Sequence, residues 1–312
     1  MINPENCTAI NEILLTGFKT FQGFKIPIFI LFLIIYLLTF CENVLIIYII
    51  FNSAHLKALM FLIIQSMCVC DLLGISNVIP KFLNDVLCEK PTFTVTSCLI
   101  QLQVYGTQGD IASVHYVLMS YDRYLAICHP LRYASVVNNK IYLHIIIVFW
   151  IFSMACTGVE CWLMSQLQFC GRNTIHHFFC DLYPFVDLAT SDTTHVRLYC
   201  NAISGFMILI TVLSVVITYV FIIRTICKIS SASGRKKTFS TCSSHLIVFS
   251  MQYGLSLVYV LPAKVVTRQL SNTFTFMHFF WIPLVNPLIY SFNNKQFRRE
   301  CRKKIKYVKE LI

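Results

Sequence analysis

The chain has 312 residues, 57% of them hydrophobic and only 12% charged, and its mean hydropathy is +0.69. A soluble domain carries about 25% charged residues, so a water-soluble globular protein is excluded: its polar side chains would not cover so apolar a core. The net charge of +11 raises nucleic acid as a partner, but the bases are gathered rather than spread. Eight of the 25 fall in the last 18 positions, from Lys295 to Lys309, and five more lie between Arg224 and Lys237. Basic clusters beside apolar runs read as cytoplasmic flanks facing anionic lipid, so membrane lipid is the expected partner and nucleic acid is not.

In chain order, a leader over residues 1–25 carries the triplet Asn6-Cys7-Thr8, an acceptor for N-linked glycan that requires a lumenal position. The first apolar run, Ile26 to Phe51, is too long for the core of a cleavable signal and has no small-residue cleavage site, so it reads as a span that also targets the chain. A hydrocarbon core takes about 20 helical residues per crossing. Seven such segments follow one another: 26–51, 58–80, 98–121, 141–163, 198–223, 240–262 and 272–292. The third and seventh are the least apolar. They hold Gln101, Gln103, Gln108, Asp110 and His115, then His278 and Asn286, side chains expected to face a bundle interior. The expected fold is all-α, a single seven-transmembrane helix bundle over residues 26–292, with a cytoplasmic tail from 293 to 312 that forms a short amphipathic helix.

Seven crossings put the two ends on opposite sides. With the N-terminus outside, seventeen bases fall on inner segments and eight on outer ones, which favours a multi-pass plasma-membrane protein with an extracellular leader and a cytoplasmic tail. The two bases flanking the first span on its outer side run against this, but the whole-chain count outweighs them. Most of the fifteen cysteines lie inside apolar runs, where they act as small hydrophobes.

Three motifs stand at the expected inner ends of spans. The third span closes on Met119-Ser-Tyr-Asp-Arg-Tyr-Leu-Ala-Ile-Cys-His-Pro-Leu-Arg-Tyr133. An Asp122–Arg123 pair is expensive near lipid, and one reading is a latch between two packings; a plain juxtamembrane pair is the alternative. Ser233-Gly-Arg-Lys-Lys-Thr-Phe-Ser-Thr-Cys-Ser-Ser-His-Leu246 enters the sixth span, and Pro283-Leu-Val-Asn-Pro-Leu-Ile-Tyr-Ser-Phe-Asn-Asn-Lys295 leaves the seventh. Pro287 removes one backbone donor and kinks its helix, and Asn286 is placed to satisfy the freed carbonyl or a buried polar partner. These stretches resemble those of the odorant receptors, a branch of the rhodopsin-like G-protein-coupled receptors, and the resemblance runs from Asn6 to about Lys295.

The resemblance implies a switch built from Asp122, Arg123, Tyr124, Asn286, Pro287 and Tyr290, in which Arg123 pairs with Asp122 and neighbouring polar groups at rest and faces a heterotrimeric G protein when active. It also implies a polar centre of Asp71 with Asn43 and Asn286, a Cys98–Cys180 disulfide holding the long loop over the bundle, and glycan on Asn6. The pocket for a small odorant is expected around Tyr105, Gln108, Gly109 and Asp110, with Tyr253 and Tyr259 from the sixth span; helix packing is the alternative for each. The chain departs from the family at several points. Ala112 stands where an acid is usual, Glu42 where Gly is common, Ser120 where Ala is usual, and Thr190 where a third loop cysteine is expected. Asp110 lies two residues from Ala112, a rotation of about 200°, so it does not simply replace the missing acid and a sodium site is in doubt. Cys170 therefore lacks its usual partner, which leaves it free or joined to Cys7, Cys88 or Cys200.

No nucleophile–base set, phosphate loop or cofactor motif is present, and His176 and His177 near the loop cysteines read as loop aromatics rather than metal ligands. The expected function is detection of a small odorant through a shifted conformational equilibrium, with coupling to a stimulatory G protein that raises cyclic AMP. A receptor of the same class for a metabolite or peptide, and a transporter or channel, are the alternatives. The second predicts inverted repeats, and the sequence has none.

Overall fold

The computed structural model describes residues 10–17, 23–88, 91–256, 268–292 and 294–311. Among the described residues seven long helices run in chain order: α1 (Lys25–Phe51), α2 (Leu59–Leu87), α3 (Val95–Cys128), α5 (Asn139–Ser165), α7 (Thr194–Lys228), α8 (Ala232–Ser256) and α9 (Arg268–Phe292). Two short helices, α4 (Pro130–Val136) and α6 (Leu182–Val186), sit in connections, and α10 (Lys295–Leu311) closes the chain. The segments expected at 26–51, 58–80, 98–121, 141–163 and 198–223 are all helical, and most of their helices overrun the apolar run. α2 continues to Leu87 through Pro80, and α3 continues past Asp122 and Arg123 to Cys128. Helical hydrogen bonding is satisfied locally and does not stop where the apolar residues do.

Among the described residues α1, α2, α5 and α7 are long and apolar enough to cross a membrane by composition alone. Their exposed faces explain why. On α1, Ile30, Leu31, Ile34, Leu37 and Leu38 stand exposed, and on α7 Leu209, Leu213, Val216 and Ile217 do the same. Stripes of this size suit lipid and would aggregate in water. α3 is more polar, and the polar side chains Gln101, Thr107, His115 and Ser120 are all buried rather than facing outward.

The chain folds as two compact units, each assembled from three stretches. The first comprises Met1–Leu37, Leu73–Asp110 and Trp150–Phe206, and the second Leu38–Leu72, Ile111–Phe149 and Met207–Ile312.

The first unit carries the only sheet among the described residues. It has three strands, β1 (Glu12–Leu15), β2 (Thr92–Thr94) and β3 (Thr174–Ile175), in the order β2-β1-β3. β1 pairs antiparallel with β2, Ile13 opposite Phe93, and parallel with β3, Leu14 opposite Thr174. The leader is therefore the middle strand. Its alternation buries Ile13 and Leu15 in a core with Leu102, Met164, Ile175, Phe185 and Val196. Gly17 completes the join. A Cβ there would stand 2.6 Å from the His177 carbonyl carbon and 2.6 Å from the Phe178 nitrogen, so no larger residue fits without moving backbone.

In the second unit α8 packs along α9, and α10 follows α9. A small core of Val215, Tyr219, Ile222 and Cys242 joins α7 to α8, with Tyr124 and Ile127 of α3 against it. Pro283 and Pro287 both lie inside α9.

Candidate functional site

In the second unit, Asp122 at the end of α3 is buried. Its closest described partner is the hydroxyl of Tyr133 on α4, which donates to Oδ1 at 2.7 Å. Arg123 stands at the edge of an ion pair with the same carboxylate, Nε to Oδ2 at 4.0 Å, and turns its Nη2 to the sulfur of Met60 on α2. The expected Asp122–Arg123 pairing is thus the weaker of the two contacts. Tyr133, read only as the end of the motif, holds the acid. The hydroxyl of neighbouring Tyr124 meets His129 Nε2 at 2.9 Å.

Beside α3, the ring of Tyr219 on α7 stacks on His245 of α8, with centroids 5.6 Å apart and planes within 5°. His245 Nε2 lies 3.1 Å from the Tyr116 carbonyl, and a carbonyl can only accept. In the neutral ring this leaves Nδ1 as an acceptor for the Tyr219 hydroxyl at 3.0 Å. Tyr253, assigned to the pocket from sequence, donates to Ser113 Oγ at 2.9 Å and packs edge-on against Tyr116.

The gap that Pro287 leaves in the hydrogen bonding of α9 has a specific repair. Pro287 has no N–H, so the carbonyl four residues earlier loses its helical donor. That carbonyl belongs to Pro283, and Asn43 of α1 donates its Nδ2 to it at 3.3 Å. The other bond of the same amide goes to the Thr39 carbonyl at 2.9 Å. Both amide hydrogens of Asn43 are therefore spent, and none is left for Asp71. Asn286, expected to satisfy the freed carbonyl or a buried polar partner, does the second: it reaches the hydroxyl of buried Tyr116. Asp71 Oδ2, Asn43 Oδ1 and Glu42 Oε1 are buried with no partner among the described residues. Glu42 lies within electrostatic range of Asp71, so the residue that departs from the family adds a second acid to this polar centre.

In the first unit the Cys98–Cys180 disulfide ties α3 to the loop. Gln101, one turn below Cys98, reinforces it: its Oε1 accepts from the Cys180 N–H at 2.9 Å, and it exchanges bonds with Asn77 of α2 at 3.1 and 2.9 Å. Cys170 is also disulfide-bonded. Cys88 and Cys200, two of the partners the sequence allows, carry free thiols; Cys7, the third, lies outside the described residues.

The remaining pocket candidates fall in this unit with different surroundings. Tyr105 packs edge-on against Phe179 of the loop, 5.5 Å between centroids. The end of the Gln108 side chain occupies the space a side chain at Gly74 would fill, so it serves the α2–α3 contact. Gly109 has nothing within 4 Å of where a Cβ would stand. Asp110 is partly buried and within electrostatic range of Glu160 on α5, an acid that no sequence motif points to. Nearby, Thr157 of α5 binds Gln103 at 2.6 Å and Thr107 at 2.8 Å. Asn6, Tyr259 and the side chain of Tyr290 lie outside the described residues.

The two loop histidines part company. His176 is exposed and shares a hydrogen bond with Thr16 at 2.8 Å, whereas His177 is 2% exposed. Burial pulls the His177 ring down to about 3, far below an ordinary imidazole, so it is neutral. Burial also pushes the Asp181 carboxyl up to about 6, against the opposing pull of the Leu182 N–H that it caps at 2.8 Å. No cluster of three or more metal-ligating side chains occurs among the described residues.

Long apolar helices with two prolines inside the last, a charged pair closing the third and a disulfide-tethered loop define a seven-helix receptor of the G-protein-coupled class. Comparison with known proteins narrows this. The sequence profile of the olfactory receptor family matches residues 32–307. Human "Olfactory receptor 11L1" is 34% identical, the alignment covering 97% of this chain and 94% of that one. Mouse "Olfactory receptor 1M1" is 33% identical over 97% of each chain, and human "Olfactory receptor 5G3" is 32% identical over 100% and 99%. The chain belongs to the olfactory receptor family, whose members are multi-pass membrane receptors and not enzymes.

Proposed function

We propose that this receptor binds a small odorant among α3, α5 and the long loop, and that binding shifts the packing around Asp122 and Arg123 to engage a stimulatory heterotrimeric G protein that raises cyclic AMP. The observation that carries this reading is the divided allegiance of the acid–base pair. Asp122 is held by Tyr133 while Arg123 sits 4.0 Å away with a thioether as its other neighbour. A thioether is a weak acceptor, so Arg123 gives up little when it turns to a new partner. A ligand moves such an equilibrium only by the difference in its affinity for the two packings.

The same reading puts the leader and the disulfide-tethered loop outside the cell, and α10 on the cytoplasmic face with its bases toward anionic lipid. Lys295, Arg298, Arg299, Arg302, Lys303 and Lys306 line one concave surface of that helix, and Phe297 is buried on another. Each base near an anionic membrane contributes about 1 kcal/mol. The test is a cyclic AMP readout in cells expressing the receptor, challenged with a chemically broad odorant panel. A rise with at least one odorant, lost in Arg123→Ala at equal surface level, is the expected result. A flat response across the panel, or signalling retained by that variant, counts against the reading. Accessibility of tags at the two ends checks the topology: both on one face would refute it.

A further inference from the structure

We propose that His177 is the polar anchor of a binding site for a small neutral hydroxyl compound, an alcohol or phenol, held between the loop phenylalanines and α3; this rests on the receptor reading above and names the ligand chemistry. His177 is 2% exposed, and neither ring nitrogen has a partner among the described residues. Its surroundings are aromatic. Phe178 stacks on the imidazole at 4.7 Å and 28°, and Phe179 meets it edge-on at 4.7 Å and 73°. The cluster extends through Phe179 to Tyr105 of α3, and through Phe178 to Phe82 of α2.

The backbone around the ring is fixed. The His177 carbonyl accepts from the Gly17 N–H at 3.2 Å, and Gly17 leaves no room for a side chain beside it. These contacts hold the loop backbone at His177 against β1 and its turn.

A buried polar group without a hydrogen bond is costly, and this one is unpaired at both nitrogens. If the position served packing alone, phenylalanine would fill it at no such cost, as it does at the next two positions. The imidazole is therefore explained by a group that arrives from outside the chain. Burial keeps the ring neutral, so it offers one N–H donor and one bare nitrogen acceptor. A carboxylate wants donors with positive charge and an ammonium wants an anion; the ring supplies neither. A hydroxyl can accept from the N–H or donate to the bare nitrogen, and the rings of Phe178, Phe179 and Tyr105 cover an apolar body.

The test uses the full-length receptor purified in detergent and followed by thermal unfolding. The probes are benzyl alcohol and hexan-1-ol, each set against an isostere without the hydroxyl, ethylbenzene and heptane. The expected result is a midpoint raised by a few degrees by at least one alcohol beyond its isostere. In His177→Phe that advantage disappears, and the variant without probe unfolds at or above the wild-type temperature because no unpaired nitrogen remains. The proposal is overturned if neither alcohol outdoes its isostere, if the advantage survives in His177→Phe, or if that variant unfolds at a lower temperature. A receptor that raises no cyclic AMP with any odorant would defeat the receptor reading and leave this shift intact.

Discussion

Each of the two units of this receptor is held together internally by a different kind of bond. The first relies on connections that do not exchange partners: a disulfide, a three-stranded sheet with the leader at its centre, and a backbone so close at Gly17 that no side chain fits. The second relies on single side-chain bonds between helices: Tyr133 to Asp122, His245 to Tyr219, Tyr253 to Ser113, Asn43 to Pro283. Each of these can break without unravelling a helix, and some have another polar group within reach, as Asp122 has Arg123 and Tyr219 has the Cys242 carbonyl. A sensor needs both kinds of construction: a frame that keeps its shape when a ligand arrives, and a region whose bonds can be exchanged at small cost.

Substitutions in each unit test that contrast. The largest effect is expected from Cys98→Ser, which removes the crosslink; losing a native disulfide costs about 2–5 kcal/mol, so surface delivery should fall to background. Surface staining of a tagged receptor measures it, and normal levels would mean the frame does not depend on the bridge. Arg123→Ala should abolish cyclic AMP signalling at nearly unchanged surface level. Asn43→Ala leaves the Pro283 carbonyl buried and unpaired, a loss of about 1–3 kcal/mol, read as a lower unfolding temperature; no change would show that the kink repairs itself by other means. Tyr133→Phe deletes the hydroxyl that holds Asp122, a charged acceptor, and should weaken the resting packing by about 1.5–3 kcal/mol. Elevated basal cyclic AMP is the expected sign, and unaltered basal output would place Tyr133 outside the switch. Smallest is Asp110→Asn, which keeps the shape and removes the charge beside Glu160. It should change which odorants are preferred rather than whether the receptor signals, and an identical response profile would return Asp110 to packing.

The helices were legible because their cause is local. Apolar runs of membrane length announce α1, α2, α5 and α7, and the inward-facing polar residues explain why α3 is the least apolar of the first five. Where helices end was not legible, since α2 and α3 continue past the apolar residues that revealed them. The sheet left no trace in the sequence: its strands are two to four residues long and come from segments far apart in the chain. Strands that short show no usable alternation, and only the fold brings them together. The motifs named the right neighbourhood and some of the pairings, and the fold adds partners to them. Asp122 and Arg123 do approach each other, and Tyr133 joins them; Asn286, placed for the freed carbonyl or a buried polar partner, meets the buried Tyr116 hydroxyl while Asn43 takes the carbonyl; Gln108 lies against Gly74, a packing contact that leaves its place in the pocket to experiment. Each added partner turns on a distance between helices, which spacing along one chain does not encode.

The bond from Asn43 to the Pro283 carbonyl has a mechanical consequence. A proline in a helix leaves a joint, and here the joint is splinted from outside by α1. Any bending of α9 at that point that lengthens the 3.3 Å contact must first dislodge the splint. The first helix thereby sets the stiffness of the last.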